Sequence, residues 1–154
     1  MLLLALLLIT IPTYGPLAGP APTSPPGMRI PLAANEAVIV RSNSTNTAGY
    51  RLRVNASGWT TLQQGDVPLR RHVEGRLVSR FFQDLRRAGP LDKLAVHPCM
   101  KSASFGTETV IVYRGKTSPD ISCPGTARQL EQDALALADA AGISLAPRPI
   151  QERP

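Results

Sequence analysis

The groups in this 154-residue chain that could do chemistry are few: Cys99 and Cys123, His72 and His97, and a set of hydroxyls and a carboxylate around Ser104 and Asp120. His97-Pro98-Cys99 sets an imidazole two residues from a thiol, and a base within hydrogen-bond reach is what turns a thiol into a nucleophile. A disulfide at Cys99 would abolish that chemistry. Zinc needs three or four ligands at recognisable spacings, and the sequence holds neither a C-x-x-C nor an H-x-x-x-H pair. A Gly-rich phosphate loop, a G-x-S-x-G elbow and an H-E-x-x-H motif are also missing from it. No catalytic residue, metal or cofactor is therefore expected.

Cysteine usage follows redox compartment. Met1 to Ile11 is an uncharged apolar run ended by Pro12. It is shorter than the roughly 20 apolar residues a spanning helix needs, and it fits the apolar core of a secretory signal, with Ala18 or Gly19 as the small residue for cleavage. No Lys or Arg precedes the run, so either the true start lies upstream or the α-amino group alone would supply the usual positive charge. Pro20 stands where a lipidated cysteine would follow Leu17-Ala18-Gly19, so no lipid anchor is expected. In an exported chain the two cysteines are expected to pair as one bridge; the alternative is two buried free thiols.

Two surfaces could bind a partner. The first joins Ser102 to Thr107 with Ser118-Pro119-Asp120, where Ser104, Phe105 and Asp120 would face a polar ligand. The same residues also have a purely structural use, with Ser118 and Asp120 satisfying turn amides and Phe105 packing beside the bridge. The second is basic. The net charge is +6, and Arg70, Arg71, Arg76, Arg80, Arg86 and Arg87 crowd around one helical segment. Arg76, Arg80 and Arg87 could meet an anionic polymer. Against that stand a possible ion pair from Arg80 to Asp84 one turn away, and the favourable position of Arg86 and Arg87 at the helix C-terminus. Arg51 and Arg53 read as charges that protect a sheet edge. Nucleic acid is not an expected partner, since export removes it and only three Tyr, three Phe and one Trp are present for stacking.

Elements must hold these groups in place. Ala37 to Val40, Tyr50 to Val54 and Trp59 to Leu62 read as three strands of an antiparallel meander; the polar loop Ser42 to Thr47 follows the first and the turn Asn55 to Gly58 the second. Leu77, Val78, Phe81, Phe82, Leu85 and Ala88 recur at helical spacing until Gly89-Pro90 ends the run. Thr107 to Tyr113 and the stretch after Arg114-Gly115-Lys116 form a second hairpin. Thr126 and Gln129 match a capping box opening a helix that buries Leu130, Ala134, Leu137, Ala138 and Ala141, with Gly142 as its left-handed stop.

The pattern Cys99, Lys101-Ser102, Ser104-Phe105-Gly106-Thr107, a strand, Gly115, Ser118-Pro119-Asp120 and Ser122-Cys123-Pro124 resembles a group of small exported bacterial proteins of unknown function. The resemblance covers roughly Phe81 to Gly142. It implies export, the bridge and a hairpin flanked by helices, and it brings no activity or catalytic residues.

The expected fold is a two-layer α+β domain: an antiparallel sheet of four or five strands with two helices on one face, in the order hairpin, helix, hairpin, helix. The expected boundaries are a signal peptide at 1–18, a Pro-rich leader at 19–35, the domain at 36–145 and a tail at 146–154. The expected role is a non-enzymatic binding or structural module of the periplasm or cell exterior. It would act as a monomer, without a membrane-spanning helix, on an envelope protein or anionic polymer. The competing readings are a hydrolase-like enzyme assembled from Ser104, Asp120 and His97, and an inhibitor of an envelope enzyme.

Overall fold

A computed structural model describes residues 32–143 apart from Pro98, Ala103, Pro124 and Thr126. The expected signal peptide, most of the expected leader and the expected tail lie outside the described residues. The elements run β1 (Glu36–Arg41), β2 (Tyr50–Asn55), β3 (Trp59–Gln63), β4 (Leu69–His72), α1 (Gly75–Arg87), a 3-10 turn at Leu91–Lys93, β5 (Thr109–Tyr113), β6 (Lys116–Thr117) and α2 (Arg128–Ala140). The fold is α+β, with one antiparallel sheet in the order β4-β3-β2-β1-β5-β6.

Side-chain alternation explains which strands form and which way they face. In β2, Tyr50, Leu52 and Val54 are buried while Arg51 and Arg53 between them are only half-buried. Ala37 and Ile39 of β1, Leu62 of β3, and Ile111 and Tyr113 of β5 share that inner side and join one core with Val78, Phe81, Phe82 and Leu85 of α1 and Leu130, Ala134, Leu137 and Ala138 of α2. Both helices thus cover the same face, and burying each large side chain contributes about 1.5–3 kcal/mol. Phe82 meets Phe81 and Tyr113 edge-on at 5.5 and 5.8 Å, a geometry that suits the ring quadrupole.

The sheet has six strands, not four or five. The unforeseen strand is β4, whose Leu69-Arg70-Arg71-His72 is exposed at every position and so carries no apolar alternation to announce it. It pairs with β3 from Trp59↔His72 to Leu62↔Leu69. The meander therefore has four strands, and α1 carries the chain back across the sheet so that β5 pairs with the free side of β1. The two hairpins share one sheet.

Two glycines are required by backbone geometry. Gly58, at φ +94°, turns β2 into β3, and a Cβ there would meet the Val73 carbonyl oxygen at 2.9 Å. Gly142, at φ +96°, ends α2 as anticipated: its amide reaches the Asp139 carbonyl at 2.8 Å and the next amide, of buried Ile143, reaches Ala138 at 3.0 Å. That is a Schellman stop with its apolar contact. The start of α2 differs from expectation. Thr126 lies outside the described residues, the N-cap position is Ala127 without a side-chain capping bond, and the Gln129 amide donates forward to Asp133 at 3.4 Å. No described helix is long and apolar enough to cross a membrane.

Candidate functional site

Cys99 and Cys123 form a disulfide with their Cα atoms 5.5 Å apart. Neither sulfur is free to attack or to ligate, and no group of three or more possible metal-binding side chains occurs among the described residues.

The segments joined by this bridge carry a polar network centred on Asp120. Lys101 Nζ donates to the Asp120 carboxylate and to the Thr107 carbonyl at 2.8 Å, and lies 2.7 Å from Ser122 Oγ. Asp120 Oδ1 accepts from the backbone amides of Thr109 and Ser122, both at 3.0 Å, and has Ser122 Oγ at 2.7 Å. Burial pushes the Asp120 carboxyl up, but the hydrogen bonds from Lys101, Ser122 and the Thr109 amide outweigh it and hold the group at about 2. Asp120 is thus a saturated clamp that ties its loop to the start of β5. Ser118 acts similarly, its Oγ accepting from the Ile111 amide at 2.9 Å.

Ser104 works through its backbone. Its carbonyl accepts from the Asn46 amide and from Ser44 Oγ, both at 3.0 Å, which fastens the β1–β2 loop to the disulfide-bearing segment. Ser42 and Glu108 add a reciprocal pair: the Ser42 amide donates to the Glu108 carbonyl and the Glu108 amide to Ser42 Oγ, each at 2.8 Å. Phe105 does not bury itself beside the bridge; it is 62% exposed. His97 and Asp120 line a common crevice of about 10 Å3, room for about one water molecule, and Ser104 is not in its wall.

Two of the helix arginines are engaged by carboxylates while staying exposed themselves. Arg80 Nε donates at 2.8 Å to Asp133, a fully buried carboxylate of α2, rather than to Asp84; Arg87 pairs with Asp84 at 3.2 Å. Arg76 and Arg86 are exposed. Arg70 and Arg71 belong to β4, not to the helix.

A second basic surface is the sheet face turned away from the helices. Arg51 and Arg53 stand on β2, which lies inside the sheet between β1 and β3, so protection of an edge does not account for them. Register places Arg70, Thr61, Arg53, Val38, Val112 and Thr117 in one row across six strands, and Gln63, Arg51, Val40 and Val110 in the next. Val38 is fully buried although it points away from the core, between Arg53 and Val112. Arg70 lies over the Trp59 ring at 4.6 Å, His72 meets that ring edge-on at 5.3 Å, and Trp59 stays 45% exposed. Glu36 reaches Arg53 at 3.8 Å. At one end this face runs into an open groove of about 650 Å3 walled by Val40, Arg51 and Gln63 and by the loop residues Ser42, Asn43 and Gly49.

Periodicity reveals the arginines of β2, but only the strand order shows that they are internal. Trp59 and Arg70 come together through a strand that left no apolar signature. Compared with known proteins, the chain matches no family model, no curated protein and no solved structure.

Proposed function

We propose that this domain is an exported binding module that holds an anionic polymer of the cell envelope on the open face of its sheet. The observation that carries this reading is the row of Arg53 and Arg70 beside half-exposed Trp59 on a face that no described helix covers. A rigid sheet fixes the spacing of the charges, which favours recognition over loose attraction. Guanidinium forks suit carboxylates, and an exposed indole adds apolar contact with the polymer backbone. The disulfide and the apolar N-terminal run support export. Arg80 and Arg87 are held more closely, by Asp133 at 2.8 Å and Asp84 at 3.2 Å, than Arg53 is by Glu36 at 3.8 Å.

The test is binding to polygalacturonate, with uncharged dextran as control, at about 20 mM and about 200 mM salt, where screening of exposed charges differs strongly. Polygalacturonate is expected to bind and dextran not. Replacing Arg53 and Arg70 together by Gln should weaken binding at least about tenfold, while Arg76→Gln on α1 should leave it unchanged. Equal binding of dextran, or loss of binding in Arg76→Gln alone, would overturn the reading.

A further inference from the structure

The inner face of the sheet carries a second polar feature, at the end nearest the β1–β2 loop. Register sets Tyr50 and Thr109 on either side of Arg41, so the three side chains share one row on three adjacent strands and face the helix layer. Arg41 Nε and Thr109 Oγ1 are buried with no hydrogen-bond partner, and the buried Tyr50 Oη has only the neighbouring Arg41 guanidinium beside it, without a well-formed bond. Tyr50 is 96% buried, as its exposure of 4% states, and Thr109 is fully buried. Arg41 makes no ion pair among the described residues.

An unmatched polar atom in a protein interior costs stability, and native structures rarely keep three side by side. Here all three can donate. Arg41 offers Nε–H, and burial pushes the Tyr50 phenol up against the opposing pull of Arg41, so it carries its proton at neutral pH. Two hydroxyls flanking one guanidinium describe a site for an oxyanion, held by strands and not by loops. Arg41 and Tyr50 also stand in the wall of the 650 Å3 groove, which gives the row a route to solvent. Burial pushes the carboxyl of Glu131 on α2 up and Arg41 pulls it back, so an acidic group already lies within the field of Arg41. A doubly charged phosphate would meet more repulsion there than a carboxylate.

We infer that the row Tyr50, Arg41 and Thr109 is a binding site for a single carboxylate group, separate from the polymer-binding face proposed above. The experiment titrates acetate and inorganic phosphate into the full chain and follows backbone amide resonances. Acetate is expected to give saturable shifts at Arg41, Tyr50 and Thr109 and to bind more tightly than phosphate. Tyr50→Phe, which removes one hydroxyl and keeps the packing, should weaken acetate at least threefold, and Arg41→Gln at least tenfold. Arg53→Gln should leave acetate binding unchanged, which distinguishes this site from the sheet face whether or not polygalacturonate binds. Shifts that never saturate, a stronger response to phosphate, or full affinity in Tyr50→Phe would each overturn the inference. If Arg41→Gln fails to fold, Tyr50→Phe decides alone.

Discussion

Asp120 accepts from Lys101, from two backbone amides and from Ser122, so its loop is held through the ionised carboxylate. In the unfolded chain the group titrates at its ordinary value of 3.8 and in the fold at about 2. A depressed carboxyl contributes stability that is complete above the unfolded value and is lost as pH falls through the folded one. The window therefore runs from about pH 4 to about pH 2, and the contribution is about 2 kcal/mol. Asp120→Asn is expected to lower stability by about that amount at neutral pH and to flatten the acid limb of the profile, as denaturant unfolding across pH 2 to 7 would record. Unchanged acid sensitivity in the variant would place the labile carboxylate elsewhere. That Ser118 and Asp120 would take backbone amides was legible from residue type, because short oxygen-bearing side chains near turns compete for backbone donors, but apart from Ser122 the amides are those of Ile111 and Thr109 in β5 and not of a turn. The contribution of Lys101 was not: its Nζ reaches Asp120 across 19 residues of chain, a distance no local pattern encodes.

At the level of elements, α1 and α2 are joined by charge as well as by packing. Asp133 is fully buried, its Oδ2 has no partner, and its Oδ1 takes Arg80 Nε. Burial, with Asp84 beside it, pushes the Asp133 carboxyl up, while Arg80 pulls it down. A carboxyl raised in the fold makes folding more favourable as pH falls, so the strain of this site is greatest at neutral pH. Arg80→Ala is expected to cost roughly 2–3 kcal/mol at pH 7, below the full cost of breaking a buried pair because Arg80 is half-exposed, and less near pH 5. Adding Asp133→Asn should recover part of the loss. Thermal melts of the single and double variants at both pH values would check this. The core stripes of both helices were legible from the spacing of Phe81, Phe82, Leu85, Leu130, Ala134 and Leu137, since periodicity reports which side an element buries. The same signal is silent for β4, which buries none of its residues, and it assigned Arg80 to Asp84 because only a neighbour one turn away is visible along a single helix.

Across the whole molecule, the disulfide joins positions 24 residues apart. Closing a loop of that size stabilises a fold by roughly 3–4 kcal/mol in the chain-entropy treatment, a large part of the stability of a small domain. Replacing Cys99 and Cys123 together by Ser should lower the melting temperature by on the order of 15 °C, measurable by circular dichroism. A shift of only a few degrees would mean that the Lys101, Asp120 and Ser122 network suffices without the bridge. The bond also reaches further than the residues it joins. Ser42 is tied to Glu108, and Ser44 and Asn46 to Ser104, so the lip of the groove is stitched to the segment that the bridge anchors. A chain whose thiols are kept reduced is therefore expected to hold that lip less firmly than one in which they are paired.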